Sequence, residues 1–264
     1  MKKILAFDIG GSKIAYTLIS EKGHIFGAIN RMPTPPTSAE IEAIVQSAAQ
    51  QNTADGLAIA TAGVVFNNHL CGKPNNLPAG YENIEFKELT GLPYLIENDA
   101  NAAAWAEYKC GALQGYEHCA LLTLGTDVGC GLILNGDLYR GKSGAAGEVS
   151  FAASGTTLAH LAEQNSLNKR DCFEIHNLAQ NGDATAKRVY DMWSENLVAA
   201  LVQLNQILDL EAVALSGSLA QIVDYEKINA KIQQICRFNP IRVMAATAEN
   251  NAGLIGAALL FSEK

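Results

Sequence analysis

The sequence contains no long apolar run and no basic run. No segment approaches the ~18 consecutive apolar residues of a membrane-spanning helix. The apolar run after Lys3 is too short for a signal peptide, and it meets Asp8 almost at once. With a net charge of −8 at pH 7, neither nucleic acid nor an anionic membrane is expected as the main partner. We therefore predict a cytoplasmic protein that acts on a small molecule.

Closely spaced cysteines are also absent. None of the six cysteines lies within three residues of another, so a zinc knuckle of the C-x-C or C-x-x-C kind is excluded. We expect reduced thiols, most of them small buried residues. The sequence has no low-complexity tract and no repeat of solenoid length. Its 264 residues, 48% hydrophobic and 17% charged, are sufficient for one large folded domain or two modest ones.

The most informative segment that the sequence does contain is Asp8-Ile9-Gly10-Gly11-Ser12-Lys13. It lies between two apolar runs, which indicates a β-hairpin with a short turn. Glycines allow backbone N–H groups to approach phosphate oxygens, Ser12 can donate a further hydrogen bond, and Asp8 can hold magnesium directly or through water. An ordinary hairpin turn explains the same residues equally well.

A second segment of the same kind follows a strand-like run that ends at Leu124. Gly125-Thr126-Asp127-Val128-Gly129-Cys130-Gly131 precedes another short strand, and Asn135-Gly136 then predicts a type I′ hairpin. The order of strand, glycine turn, strand, tight turn and strand therefore occurs twice, roughly 115 residues apart, which is close to one domain length. Two such turns on two similar domains predict a nucleotide held in the cleft between them.

Strands and helices alternate along the chain, which predicts an α/β fold. The pattern Thr37-x-x-Glu40 predicts a capped helix that ends near Gln51, and Asp183 is the expected N-cap of the longest helix, which ends at Leu208. The segment 64–92 is expected to consist mainly of loops. Further strands are predicted at 56–60, 94–97, 213–215 and 241–244, and further helices at 99–108, 157–164 and 252–261.

Glu97-Asn98-Asp99-Ala100-Asn101 is the candidate catalytic segment, because it joins the end of a predicted strand to the start of a helix. Ligand-binding groups of α/β sheets lie at this position, and helix N-terminal amides favour an ionised carboxylate. Helix capping by Asn98 or Asp99 is the structural alternative, but it explains only one of these polar residues. A further carboxylate, Glu148, follows a glycine-containing segment and by itself is better explained as a solvated turn residue.

Taken in order, these segments resemble the ROK family of sugar kinases and related repressors, which have the actin/hexokinase-type (ribonuclease H-like) fold. The resemblance extends from Asp8 to Ala258, and the ordered set is far more specific than any one segment. The segments that carry it are Asp8–Lys13, Pro74–Leu77, Glu97–Ala104, Leu124–Gly131, Asn135–Gly141, Ala146–Glu148 and Gly253–Ala258.

The resemblance implies ATP-dependent 6-phosphorylation of a hexose or an N-acetylhexosamine. It implies that Asp99 is the general base and that Asn98 positions the sugar, with Gly63, Asn76 and Glu148 lining the sugar pocket. ATP and magnesium are the implied cofactors, the magnesium being carried by ATP near Asp8. The residues implied for the nucleotide are Asp8, Gly10, Gly11, Ser12, Lys13, Gly125, Thr126, Gly129, Ser216 and Gly217.

The resemblance also implies two similar domains around a cleft for nucleotide and sugar. They are expected at residues 1–111 and 112–249, with a last helix in 250–264 that packs back on the first domain. A homodimer is implied as well. The long helix that follows Asp183 is a candidate dimer face, although packing within the second domain explains that helix equally well.

The chain departs from the family pattern after Glu148. Phe151 stands where the family has a histidine, and both the loop Cys-x-Cys-Gly-x-x-Gly-Cys and a second sugar-binding glutamate are absent. We therefore expect no structural zinc, and we expect Phe151 to fill the space of the missing groups. Zinc-free members of the family include bacterial N-acetylmannosamine kinases, so the resemblance favours N-acetylmannosamine as the substrate and a role in sialic acid catabolism.

Alternatives remain in the same class and in others. Within the class, N-acetylglucosamine, glucose or another hexose is the alternative substrate. A repressor would carry a DNA-binding segment before the first glycine turn, where only seven residues precede Asp8. A catalytically weak sugar-binding or sensor protein is the alternative from another class, and the intact Asp99 and both glycine turns argue against it. Release of ADP with a panel of sugars would discriminate among these.

Overall fold

Two five-stranded sheets form the framework of the protein, whose computed structural model describes residues 1–167, 171–248 and 251–263. In chain order the strands are β1 (Lys3–Ile9), β2 (Lys13–Ser20), β3 (Ile25–Pro33), β4 (Gly56–Thr61), β5 (Val65–Phe66), β6 (His69–Leu70), β7 (Tyr94–Asn98), β8 (Cys119–Leu124), β9 (Val128–Leu134), β10 (Asp137–Leu138), β11 (Ala212–Ser216) and β12 (Arg242–Ala245). The helices are α1 (Ser38–Gln51), α2 (Phe86–Thr90), α3 (Asp99–Cys110), α4 (Gly155–Gln164), α5 (Cys172–Gln180), α6 (Ala184–Leu208), α7 (Tyr225–Ile235) and α8 (Ala252–Ser262).

The two sheets have the same topology. The first has the strand order β3-β2-β1-β4-β7 and the second has the order β10-β9-β8-β11-β12. In each, an antiparallel hairpin leads into a parallel pair, β1 with β4 and β8 with β11. The prediction of an α/β chain that uses one strand pattern twice is therefore confirmed.

The central strands are buried on both faces, which explains their composition. All six residues of β4 are buried, and the strand is a continuous run of small and apolar residues rather than an alternating one. This is the pattern expected of a parallel strand that is covered on both sides. The carboxyl ends of β1, β4 and β7 consequently meet at one edge of the first sheet, and the candidate catalytic segment begins there.

Helices α3 and α8 pack against each other between the two sheets. Helix α8 contacts β1, β2, β4 and β7 of the first sheet, whereas α3 contacts β8 and β9 of the second. Small residues make this close layer possible: a β-carbon at Gly256 would overlap the carbonyl group of Ala102, and one at Gly131 would lie 2.5 Å from the Cβ atom of Ala104. Helix α3, which starts at Asp99, is thus fixed from both sides.

Several local predictions are confirmed. Thr37 caps α1, since its hydroxyl accepts a hydrogen bond from the Glu40 N–H at 3.3 Å, and Asp183 caps α6. Asn135 and Gly136 have φ angles of 54° and 77°, as a type I′ turn requires. The predicted strands and helices outside the loop region are present with ends shifted by one to a few residues.

Strand β3 was predicted only through the repeated order of turns, as the strand after the tight turn of the first copy. It lies at the sheet edge with no buried residue and shows no alternating apolar pattern. Other elements were not predicted: helices α5 and α7 were missed, and the segment 64–92 contains β5, β6 and α2 besides its loops. Strand β9 begins at Val128, so that residues 128–131, which were expected in the second turn, belong to a strand.

The cysteines and the long helix complete the description. All six cysteines are free thiols; burial is confirmed for Cys119, Cys130 and Cys236 but wrong for Cys71 and Cys110, which are exposed. Helix α6 packs on α4, α5 and α7. It contributes the buried Trp193 to the core of the second half of the molecule, which is built on the sheet β10-β9-β8-β11-β12. Within the described ranges, no helix has both the length and the apolar character needed to cross a bilayer.

Candidate active site

The turn between β1 and β2 brings together Asp8, Gly11 and Asn76. The N–H of Gly10 donates to the carbonyl of Lys13 at 3.0 Å and closes the turn. A β-carbon at Gly11 would lie only 2.6 Å from the Cβ atom of Asn76, so glycine is required for the two segments to touch. Burial raises the pKa of the Asp8 carboxyl to about 6, although the charge of Lys13 acts in the opposite direction.

The start of α3 fixes Asn98 against the first sheet. Asn98 is the N-cap, and its Oδ1 accepts from the Asn101 N–H at 3.0 Å, while its Nδ2 donates to the carbonyl of Gly63 at 3.0 Å. The capping interpretation is therefore right for Asn98. Its side chain also joins β7 to the segment after β4, which orients it at the strand edge.

Asp99 is the first residue of α3 and is half-buried. Its Oδ1 accepts from the Ala100 N–H at 2.8 Å. Burial raises the pKa of the Asp99 carboxyl to about 7, and repulsion from Asp8 and Glu148 adds to the increase, against the effect of the Ala100 hydrogen bond. The fold therefore brings three sequence-predicted carboxylates, Asp8, Asp99 and Glu148, into one electrostatic neighbourhood.

The second glycine turn, between β8 and β9, is shorter than predicted. The carbonyl of Gly125 accepts from the Gly155 N–H at 2.7 Å, and the carbonyl of Thr126 accepts from the Thr156 hydroxyl at 2.8 Å. The start of α4 thus holds this turn in shape. Gly129 lies in β9, where its N–H donates to the hydroxyl of Thr123 at 3.1 Å and its α-carbon faces Ala100 of α3. Glycine is needed at position 129 because the packing leaves no room for a side chain, and not because its N–H is free to bind a phosphate.

Ser216 ends β11, Gly217 follows it, and both line a cleft of about 710 Å³. A β-carbon at Gly217 would overlap the carbonyl of Leu124, which immediately precedes Gly125. The positive φ of Gly217, 84°, is a further reason for glycine here. The second glycine turn and this cleft are therefore adjacent, and the remainder of the cleft wall is formed by Leu215, Ser218, Ala220, Gln221, Val223, Tyr225, Ala245 and Ala246.

The side chains around the site bear differently on zinc and on magnesium. Across residues 1–167, 171–248 and 251–263, no group of three or more His, Cys, Asp or Glu side chains could hold a metal ion. Phe151 packs against the core of the second half. Asp8 fits magnesium chemistry in a different way, because its buried carboxyl repels that of Asp99, and a cation held there would relieve the repulsion.

Sequence reasoning named the segments of several further site residues but gave these residues no role of their own. Gly253 at the start of α8 leaves room for Asp8, because a β-carbon there would lie 3.1 Å from Oδ2 of the carboxyl. Glu97 is buried behind Asn98, and its Oε2 accepts from Nε of Arg140 at 2.7 Å. The only available signal for this pair was a charged residue inside an otherwise apolar strand, because Arg140 comes from a distant part of the chain.

The arrangement is suited to proton transfer from an alcohol. A carboxyl group whose pKa lies near neutrality can accept a proton at physiological pH and release it again. Asp99 lies in the electrostatic neighbourhood of Asp8, which precedes the first glycine turn, and the helix that it begins packs on β8 and β9, the strands that flank the second. Such an arrangement is typical of phosphoryl transfer, in which positioning and charge neutralisation outweigh covalent chemistry.

The sequence is similar to known proteins along almost its whole length. The sequence profile described as "ROK family" matches residues 4–152 and 149–264. An N-acetylmannosamine kinase of Yersinia pestis (strain Pestoides F) is 30% identical over 292 aligned positions, which cover 98% of each chain. Since 292 positions exceed the 264 residues of this protein, the relative carries residues that this chain lacks.

Solved structures agree with the fold. A ROK family glucokinase from Streptomyces griseus, in complex with glucose and AMPPNP, has a TM-score of 0.82 at 27% identity and covers 99% of this chain and 100% of its own. The ROK hexokinase from Thermus thermophilus has a TM-score of 0.83 at 27% identity, with 97% of each chain covered. The expected actin/hexokinase-type fold is confirmed by this similarity. This chain belongs to the ROK family.

Proposed function

We propose that this protein is a sugar kinase that transfers the γ-phosphoryl group of ATP to the 6-hydroxyl of an N-acetylhexosamine, with N-acetylmannosamine preferred. The observation that carries the proposal is Asp99, a half-buried carboxyl with a pKa of about 7 at the end of β7. The choice of sugar is supported by the 30% identity to N-acetylmannosamine kinases along the whole chain.

Asp99 acts as the general base in this proposal. Its carboxylate accepts the proton of the sugar hydroxyl while the hydroxyl oxygen forms a bond to the γ-phosphorus and the bond from that phosphorus to the ADP oxygen breaks. A pKa of about 7 allows enough of the carboxylate form at neutral pH and still a useful affinity for the proton. The hydrogen bond from the Ala100 N–H keeps the carboxylate in one orientation.

Residues of both glycine turns surround the nucleotide in the proposed complex. Magnesium, when bound with ATP, supplies charge neutralisation between the phosphates, and Asp8 is the residue that would hold it, directly or through water. Gly129 is left out of the phosphate contacts because it lies within β9, packed against Ala100 of α3, and not in the turn itself. Ser216 and Gly217 line the cleft proposed for the adenosine. The proposed phosphate contacts are Gly10, Gly11, Ser12, Lys13, Gly125 and Thr126.

The sugar is proposed to lie between Asn98 and Glu148. Asn98 uses one N–H on Gly63, so its second N–H is available for a hydroxyl of the sugar. Asn76 lies beside the first glycine turn and Glu148 is exposed at the end of its loop, so both can approach the sugar from different sides. Phe151 offers no hydrogen bond near the far end of the sugar, which suits the methyl of an acetyl group better than a hydroxyl.

A coupled ADP-release assay tests the proposal. Purified protein is supplied with MgATP and, separately, N-acetylmannosamine, N-acetylglucosamine, glucose and fructose. We expect the highest kcat/KM with N-acetylmannosamine and weaker activity with N-acetylglucosamine, because one apolar contact discriminates by only about 1–3 kcal/mol. Asp99→Asn protein purified in parallel controls for contaminating kinases.

Each other outcome of the sugar panel has a definite meaning. A clear preference for glucose or fructose would overturn the substrate and leave the kinase; glucose is the second candidate because it is bound in the 27% identical Streptomyces griseus glucokinase. Sugar binding in calorimetry without any release of ADP would instead favour a sensor protein over an enzyme.

The domain and assembly predictions remain proposals. We propose that residues 1–111 and 112–249 move as two units and that sugar binding closes the cleft between them, which would exclude water from the γ-phosphate. A cytoplasmic homodimer is proposed with the exposed side of α6, where Met192 and Ile207 are 41% and 78% exposed, as its contact. Its test is sedimentation of the wild type and of Ile207→Asp.

A further inference from the structure

Glu97 is hydrogen-bonded to the N-terminal turn of α3, which carries Asn98 and Asp99. Only 3% of this residue is exposed, although it is a carboxylate. Its Oε1 accepts from the backbone N–H of Asn98 at 3.0 Å and from Nδ2 of Asn101 at 3.1 Å, and its Oε2 accepts from Nε of Arg140 at 2.7 Å. Three donors therefore converge on one side chain, and two of them belong to the N-terminal turn of α3.

Arg140 belongs to the other half of the molecule. It follows β10, and its carbonyl accepts from the Ala146 N–H at 3.3 Å. This bond closes the loop that leads to Glu148. A β-carbon at Gly144 would overlap the carbonyl of Val65, and one at Gly147 would overlap that of Cys130, so the loop fits closely between β5 and β9. Arg140 is the point at which this closely fitted loop is joined to the catalytic turn.

The pair differs from an ordinary surface ion pair. The side chain of Glu97 is 4% exposed and that of Arg140 is 37% exposed. Loss of the guanidinium would leave an unpaired carboxylate in a buried position, which is far more costly than loss of an exposed pair. The carboxylate would then move toward water, and the Asn98 N–H and the Asn101 amide that depend on it would move as well.

We propose that Glu97 and Arg140 are positioning residues that hold the Asn98–Asp99 turn and the Glu148 loop in a fixed relative position. This inference rests on the proposed function for its kinetic consequences. Neither residue touches the reacting atoms. Their effect is to set the distance between the base and the sugar-binding loop, where a displacement of about 1 Å can cost on the order of 100-fold in rate.

The test compares Arg140→Ala, Arg140→Lys and Glu97→Gln with a matched control. Lys109→Ala breaks the pair of Lys109 with Glu263, in which the distance is 2.8 Å and the cation is also 37% exposed, but the carboxylate is 44% exposed. We measure kcat and KM for the sugar and for ATP separately. Arg140→Ala is expected to lower kcat by about tenfold and to raise the sugar KM several-fold with the ATP KM unchanged. Arg140→Lys should recover much of this loss, because a single N–H donor contacts Glu97.

Hydrogen exchange supplies a readout that does not depend on the reaction. Arg140→Ala should increase exchange in both 97–101 and 140–148, whereas Lys109→Ala should change neither. The double variant Glu97→Gln/Arg140→Ala should be no worse than the poorer single variant, because the two residues act as one unit.

The outcomes separate this inference from the proposed function. Unchanged exchange in both segments in Arg140→Ala and Glu97→Gln would overturn the positioning role, whatever the substrate. So would a rise in the ATP KM equal to that in the sugar KM, or additive losses in the double variant. If the wild type phosphorylates no sugar, the proposed function fails, and the exchange data still decide the positioning role. If Arg140→Ala does not fold, Arg140→Lys and Glu97→Gln provide the same readouts.

Discussion

The half of the molecule built on the first sheet and the half built on the second have the same sheet topology, but they carry different side chains at the ends of their strands. Asp8 stands two residues before the first glycine turn, and Thr123 stands two residues before the second. The Thr123 hydroxyl is used inside its own hairpin, where it accepts from the Gly129 N–H, whereas burial raises the pKa of the Asp8 carboxyl to about 6. The first half therefore retains a charge where the second half has a structural hydrogen bond.

The parallel strands show the opposite difference. At the ends of β4 and β7, Thr61 hydrogen-bonds with Tyr81 at 2.9 Å and Asn98 caps α3, so the space is occupied. At the ends of β11 and β12 a cleft of about 710 Å³ remains. One topology thus carries carboxyl groups of raised pKa in one half and a cavity in the other, which illustrates that function depends on the site and not on the fold.

Removal of the charge in the first half should have the largest effect. Asp99→Asn is expected to lower kcat by a factor on the order of 100 or more, because no other described carboxyl occupies the start of α3 and the amide cannot accept the proton. Nucleotide affinity, measured by calorimetry, should change little, since the cleft of the second half is intact. Near-full turnover by a folded variant would refute the assignment of Asp99 as the base.

The next largest effect is expected from Gly217→Ala, which adds a methyl group beside the cleft of the second half and should weaken ATP binding. Gly217 has φ 84° and ψ 172°, a backbone region open essentially to glycine alone, and an added methyl would overlap the Leu124 carbonyl. Gly217→Ala should weaken ATP binding by a factor on the order of 10, because overpacking costs about 1–3 kcal/mol. Sugar binding in calorimetry should stay close to that of the wild type.

Gly182→Ala is the control for this variant. Gly182 also has a positive φ, 91°, but no atom of the described residues lies within 4 Å of the added carbon. It tests backbone strain without overlap. Equal ATP affinity in Gly217→Ala and Gly182→Ala would mean that the second half does not depend on that space.

The smallest expected effect is a gain in stability from Asp99→Asn. Because the pKa of Asp99 is raised from 3.8 to about 7, the folded protein retains a proton that the unfolded chain releases between these values. The free energy of unfolding therefore falls as the pH rises through this window. The variant has no such loss, so its Tm at pH 8 should exceed that of the wild type by about 2–4 °C, and the difference should vanish near pH 4.

Asp191→Asn provides a control of opposite sign. Hydrogen bonds from Lys187 and Lys227 hold the pKa of Asp191 below its ordinary value, so its carboxylate adds stability at neutral pH that is lost on acidification. The Asn variant should melt slightly below the wild type at pH 8. A Tm difference for Asp99→Asn that persists unchanged near pH 4 would contradict the proposed origin of the gain.

The sequence was informative where local patterns coincide with packing. The apolar runs of β1 and β4 and the caps Thr37 and Asp183 could be read directly. Strand β3 is an exposed edge without alternation, so only the repeated order of turns predicted it. Gly129 resembled a turn residue because its packing against α3 is a long-range contact. Glu97 and Arg140 were missed as a pair for the same reason, since they are 43 residues apart in the chain.

The return of α8 to the first sheet has a consequence for biosynthesis. Ile4, Ala6 and Ala58 of that sheet are buried in one cluster with Leu254 and Ala257 of α8. The apolar face of the first sheet therefore lacks the cover of α8 until residues 252–262 have left the ribosome. At ~5–20 residues per second, translation from Gly111 to Ser262 takes roughly 8–30 s. For that interval the nascent chain exposes the part of its first sheet that α8 later buries, and this is the stage at which aggregation through that face is most favoured.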